Sequence, residues 1–234
     1  MKIANIYNHL NGLEYLQVHK RKQLQEIFNA IVDINANQFT KLSKDKAKKG
    51  KKLYDQKRIN DEFKRLLNPK DWNELKRYYY VTGDLSVEKQ IVKIRDKEEQ
   101  KKFIEQSGNE AYTTNNQVDF VKDRIAVEVQ FGKYFSVAYD LHVKHTFFYL
   151  MDEIDVGIEI IPTRRMMKKM DTGISWFENE VANVIREGRN NPSVPIVVIG
   201  VEPDVLFDEE DGNGAEISDF AAVAKIVKDI LTES

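Results

Sequence analysis

A chain of 234 residues, 41% of them apolar, is long enough to bury a sizeable core, and its length fits one domain with at most an appended tail. It has no cysteine, which excludes disulfides and cysteine-ligated zinc, and no run of eighteen apolar residues, which excludes a transmembrane helix. Its 36 basic and 38 acidic residues leave a net charge of -2, too small to imply a nucleic-acid or membrane partner, but the charges are unevenly spread.

The first ten residues, MKIANIYNHL, lack the apolar core of an export leader, so a cytoplasmic location is expected. From Leu13 to Ile31 apolar residues recur at close to helical spacing, which predicts an amphipathic helix over 13–33. Residues 41–58, KLSKDKAKKGKKLYDQKR, are strongly basic; Gly50 and the lack of apolar periodicity predict a loop. Asn60 can cap a helix through DEFKRLL, with Pro69 just past its end. YYYVTG reads as a short strand, and Asp96 with Glu99 as a capping box opening a helix to about Gln106.

QVDFV and RIAVEVQF read as strands around a tight KDR turn. Residues 137–151 have helical length and two apolar faces. IDVGIEII and VPIVVIGV are strands covered on both sides, and ISWFENEVANVIREG is a helix stopped by Gly188. Strands alternating with helices predict an α/β fold, a central mixed sheet flanked by helices. Residues 202–216 are acidic, and a last helix is expected from Ile217, its apolar face formed by Ile217, Phe220, Ala224, Val227 and Ile230 or Leu231. It can pack on its own subunit or on a partner. The expected organisation is one domain over 1–203, followed by an acidic linker and helix over 204–234.

Three polar residues interrupt the strands of the 118–131 stretch. Ala126, Glu128 and Gln130 share one face of a strand, while Val127, Val129 and Phe131 take the other. A hairpin can bring Asp119 beside Glu128. Two close carboxylates repel and lose hydration, which a divalent cation between them would relieve. Hard oxygen donors suit magnesium, which keeps several waters, accepts phosphate oxygens and can activate a bound water. The same spacing also fits acids that simply face solvent on a sheet edge.

An Asp followed after a short gap by Glu-X-Lys is the signature of the PD-(D/E)XK nucleases. This chain has Glu-Val-Gln, and with HLNGLEY, YYVTG, DFVKDR, EVQFGKY, VAYDL and IDVG it resembles the BstYI and BglII group of type II restriction endonucleases over residues 1 to about 203. The resemblance implies a restriction-endonuclease-like core in a homodimer. It further implies Mg2+-dependent cleavage (Mn2+ able to substitute) of double-stranded DNA at a palindromic site with a GATC core, giving 5′ overhangs. A cognate methyltransferase in the same system is expected, without a stable complex.

Carried over by position, Asp119 and Glu128 match the metal-binding acids, with the carbonyl of Val129 a further candidate ligand. Gln130 stands where lysine is usual; its neutral amide can only position water or phosphate. DWNEL resembles an upstream helical segment that supplies a fourth group, either Glu74 or its rival Asn73; a solvated helix glutamate is the other reading. The helix over 138–151 is expected near the dimer partner.

Lys133 and Ser136 follow the catalytic strand, and Thr172, Gly173 and Ser175 lie at a helix start; these are the expected DNA readers. Within the group the first of these positions is Asn or Lys and the third Asn or Ser, and the Lys133–Thr172 pair favours a purine-GATC-pyrimidine site. Lys44, Lys46, Lys48, Lys49, Lys51 and Lys52 form a candidate phosphate-contacting arm, or a solvated loop before DNA arrives. His142 and His145 have the spacing of a metal pair but no evident third ligand, so packing is the expected role. No cofactor other than metal is implied, and no Walker loop occurs. The alternatives are a structure-specific repair nuclease of the same fold and a DNA-binding protein without catalysis.

Overall fold

The computed structural model describes residues 1–132, 134–207 and 220–232. Strand β1 (Lys2–His9) opens the chain, a strand that its own sequence does not announce. Two helices, α1 (Gly12–His19) and α2 (Arg21–Asp33), stand in place of the single helix expected over 13–33. Lys20, at φ −137° and ψ 32°, breaks between them. After Leu16 the next core residue of this stretch is Leu24, and Val18 between them is exposed, so no continuous apolar stripe holds the two turns to one face. α1 also lies close against the sheet, since a Cβ on Gly12 would meet the main-chain nitrogen of Ile196 at 3.0 Å.

The basic run is a hairpin whose residues 43–51, with most of the lysines, form the connecting loop. β2 (Thr40–Leu42) and β3 (Lys52–Tyr54) pair antiparallel, and Gly50 turns the chain with a φ of 77°. Helix α3 (Gln56–Leu67) starts one turn earlier than Asn60 would have it. Asp55 takes the cap by accepting from Arg58 N, and buried Ile59 extends the stripe of Phe63 and Leu67 upstream. Pro69 lies just past the helix end, in a 3-10 turn.

The chain divides into two compact units, 1–73 with 119–234, and 74–118. The smaller holds most of β4 (Asn73–Val81), α4 (Leu85–Ile91), α5 (Lys97–Gln106) and the first part of β5 (Tyr112–Lys122). Val87, Ile91 and Ile104 form its own small core. Asp96 caps α5 by accepting from Glu99 N at 2.9 Å, as the sequence predicts. α4 is not foreseen from the sequence.

The larger unit carries β6 (Ile125–Val129), α6 (Tyr134–Tyr139), α7 (His145–Leu150), β7 (Val156–Pro162), α8 (Arg164–Met167), α9 (Phe177–Glu187), β8 (Ile196–Glu202) and α10 (Phe220–Thr232). Its strands run in the order β1-β8-β7-β6-β5. β7 is parallel to β6 and β8, while β1 and β5 pair antiparallel with theirs, so the sheet is mixed.

Alternation divides the sheet's two faces. Val127, Val129, Ile158, Ile160, Val197 and Ile199 join one core with α2 and α3. Ile161, Ile196 and Val198 join another with Val137, Leu141, Phe177 and Val184 from α6, the turn after it, and α9. Helices therefore cover both faces, as the unbroken apolar runs of β7 and β8 predict. α10 packs on its own subunit: Val223 and Ile230 enter the first core, and Arg21 donates to the carbonyl of Asp229 at 2.6 Å. Ile217 and the acidic stretch 208–216 lie outside the described residues.

Candidate active site

The turn between β5 and β6 is Asp123–Arg124, both in the left-handed region at φ 49° and 67°. Such a two-residue turn matches the strands' twist and fixes the register. Arg124 anchors it, its Nε donating to Asp155 at 2.9 Å and its Nη2 to Asp152 at 2.6 Å. The paired register ends at Phe120–Val127, and Asp119 and Glu128 are the next residues of the two strands. Asp119 Oδ2 accepts from the amide of Val129 at 3.2 Å, which ties the first acid to the strand of the second.

Glu128 points away from Val127 and Val129 and is only 2% exposed. In the parallel ladder its neighbour is another buried acid, Glu159 of β7. The helix that follows β6 closes over this face. Between α6 and α7 it widens into a single π turn, Asp140–Lys144. Lys144 Nζ donates to Glu128 Oε1 at 2.9 Å and lies 2.7 Å from Asp140 Oδ1. Gln130 Nε2 donates to Asp140 Oδ2 at 3.1 Å, and its Oε1 accepts from Gly132 N at 2.9 Å. Gln130, Phe135, Ser136, Tyr139, Asp140 and Lys144 line an open cleft of about 550 Å3.

Burial raises the carboxyl of Glu128 well above the usual range, and Asp140 and Asp119 raise it further by repulsion, with Lys144 opposing. Glu159 is pushed up the same way, by burial and then by Asp140 and Glu128. Burial also raises Asp140, against the pull of Lys144. For Lys144 burial works against the charge, but Glu128 and Asp140 outweigh it and hold the ammonium. His145 is buried and brought down to about 3 by burial and then by Lys144, so its ring is neutral; Nε2 lies 3.4 Å from Glu159. His142 faces Glu187 instead, at 3.2 Å, so the two histidines have separate partners.

The donor set fits a hard divalent ion. Asp119 and Glu128 come from adjacent strands, and repulsion from Asp140 and Asp119 acts on Glu128 even with Lys144 beside it. Among the described residues no three His, Cys, Asp or Glu side chains converge as a complete ligand set.

The remaining expected site residues are dispersed. Glu74 and Asn73 are exposed on strand β4, not on a helix, so the helical reading of DWNEL is corrected. The strand begins at once after Trp72, which is buried in the main core. Lys133 lies outside the described residues, and Ser136 is half-buried on α6 at the cleft. Gly173 is exposed at φ 76°. Thr172 Oγ1 donates to Asp45 Oδ2 at 2.5 Å. Ser175, expected to face DNA, is instead fully buried and donates to Glu180 at 3.0 Å, because the chain turns inward with Ile174 ahead of α9.

Lys46, Lys49, Lys51 and Lys52 are exposed on the basic hairpin. Lys48 instead donates to the carbonyl of Met170, and Lys41 to Asp171 at 2.7 Å, so the hairpin is tied to the segment carrying Thr172. The sequence reading missed Asp140 and Lys144. Their signal is an acid and a base four apart in a stretch read for its apolar faces, its two histidines and a dimer contact.

The family model described as restriction endonuclease BglII/BglIII matches residues 4–201 of the chain. Among solved structures, the crystal structure of restriction endonuclease BglII complexed with a DNA 16-mer is similar, with a TM-score of 0.61 and 18% identity over 87% of this chain and 79% of that one. The crystal structure of free BglII gives 0.55 and 19%, over 87% and 81%. At such identity these likenesses speak for the fold, which is that of a restriction endonuclease. No curated protein matches the chain.

Proposed function

The chain belongs to the restriction endonuclease BglII/BglIII family of site-specific deoxyribonucleases, and from that premise we propose a homodimeric type II enzyme that cuts R^GATCY in double-stranded DNA with Mg2+. The observation that carries the reading is the hydrogen bond from the Val129 amide to Asp119, which holds the first acid against the strand of Glu128 just past the last paired residues of the β5–β6 hairpin. The relative solved on a DNA 16-mer supports duplex DNA as substrate. Residues 1–203 would form the endonuclease domain and 204–234 an appended segment. A methyltransferase of the same specificity would protect the host's own sites.

Asp119, Glu128 and the carbonyl of Val129 would hold the ion. When bound, it supplies a low-pKa water and charge stabilisation on the phosphate. Asp119 and Glu128 fix the reacting geometry from rigid strands. Gln130 braces Asp140 and the Gly132 amide. In the hydrolysis the water oxygen bonds to phosphorus as the bond to O3′ breaks. The products are a 5′-phosphate and a 3′-hydroxyl, the water's proton ending on O3′ by way of solvent.

The exposed hairpin lysines would contact phosphates, while Lys133, Ser136, Thr172 and Gly173 would face the site's base pairs. Digestion of DNA of known sequence with Mg2+, followed by mapping of the ends, tests the proposal. The expected result is a single family of cuts before the G of GATC, with four-base 5′ overhangs and A or G accepted at the outer position. Fragments with ends unrelated to GATC would contradict it.

A further inference from the structure

In the Glu-X-Lys arrangement the strand lysine brings a positive charge to the phosphate. Here that position is Gln130, a neutral amide already committed to Asp140 and to the Gly132 amide. The developing transition state still carries extra negative charge on its oxygens, and a preorganised cation in a partly dry site stabilises it far more than in water.

We propose that Lys144, from the helix rather than the strand, supplies this charge: its ammonium, held between Glu128 and Asp140 at the floor of the cleft, donates to a non-bridging oxygen of the scissile phosphate. The inference rests on reading Asp119 and Glu128 as the hydrolytic centre. Three observations support it. Lys144 Nζ lies 2.9 Å from Glu128 and 2.7 Å from Asp140, so it is already at the acids. Its side chain keeps 21% exposure and lines the open cleft, so the same head group is reachable by a ligand.

The third observation is the local geometry of the helix. The π turn over Asp140–Lys144 departs from regular helix where it crosses the acids. π turns give up hydrogen-bond regularity and recur at functional sites. Gln130 and Asp140 are then positioning residues, fixing the ammonium from strand and helix. Glu128 and Asp140 would hold a bound divalent ion and the ammonium on the same side of the phosphate, the ion supplying charge stabilisation beside that of Lys144.

The test compares the parent with Lys144→Met, Lys144→Arg and the double variant Gln130→Lys/Lys144→Met. Three readouts are needed: single-turnover cleavage at saturating Mg2+, binding of a GATC duplex in EDTA, and thermal melting. Lys144→Met is expected to slow cleavage about 100-fold and to weaken metal-free binding about tenfold, since the buried acids then face phosphate unopposed. Lys144→Arg should stay within about tenfold of the parent, and moving the lysine back to position 130 should recover about tenfold or more.

If Lys144→Met does not fold, Lys144→Gln, which can still donate to a carboxylate without charge, makes the same comparison. Parent-like cleavage by Lys144→Met or Lys144→Gln overturns the inference. So does a loss that the relocated lysine leaves unrescued while EDTA binding is unchanged, which would mark Lys144 as structural. A parent that cuts no DNA with Mg2+ or Mn2+ would instead overturn the hydrolytic reading of the site.

Discussion

Asp119→Asn is expected to lower DNA cleavage about 10³-fold while leaving binding in the absence of metal within a few-fold of the parent. The side chain keeps its size, and its amide oxygen can still accept from Val129 N, so the hairpin should hold. What is lost is one of the two hard anionic donors. Metal-ion catalysis contributes several kcal/mol to phosphodiester hydrolysis, and about 4 kcal/mol corresponds to the stated factor. Metal-free binding rests on other contacts. It should improve slightly if it changes, because one negative charge near the phosphate has gone. Single-turnover cleavage with and without excess Mn2+, beside filter binding in EDTA, separates the two effects. A variant that binds poorly without metal would mean that Asp119 is structural.

Replacing Lys46, Lys49 and Lys51 together with alanine is expected to weaken duplex binding about 10²- to 10³-fold at 0.1 M salt. The plot of log affinity against log salt should lose about 2.7 from its slope, 0.9 for each phosphate contact removed. The loss should be equal for cognate and unrelated duplexes, because phosphates carry no sequence information. These three lysines are exposed on the basic hairpin. Lys48 is deliberately left in place, since it donates to the Met170 carbonyl and its removal would also disturb the segment carrying Thr172. An unchanged salt slope would take the hairpin off the DNA.

The parts of the molecule that could be read from sequence are those set by neighbours in the chain. The 118–131 stretch alternates apolar and polar residues around KDR, and both strands and the presence of a turn follow from that period, although Lys122 belongs to β5 and the turn is Asp123–Arg124 alone. Asp96 announces its helix by local capping. What could not be read depends on distant partners. β1 forms because β8 is there to pair with it, with Lys2 opposite Glu202. The break at Lys20 depends on where the sheet lies under α1, and Glu74 reads as helical only until its strand is in view. Ser175 looked like a helix-start donor, but the inward turn of the chain gives its hydroxyl to Glu180.

The candidate site shows the same division. Asp119 and Glu128 are paired by a hairpin, and a hairpin is local. Asp140 and Lys144 reach them only because the helix after β6 folds back over the sheet with a π turn, which no apolar period encodes. Glu159 arrives through a parallel ladder, whose register is set by tertiary packing. The acids of β6 and β7 therefore form one buried group that the sequence displayed only in part.

The most direct measurement is the anomalous diffraction of a crystal of the protein with a GATC duplex, soaked in Mn2+. A hairpin that grips a cation against the phosphodiester should show one strong peak about 2.0–2.2 Å from a carboxylate oxygen of each of Asp119 and Glu128, in contact with the scissile phosphate. Acids turned apart, with no peak near either, would contradict the account.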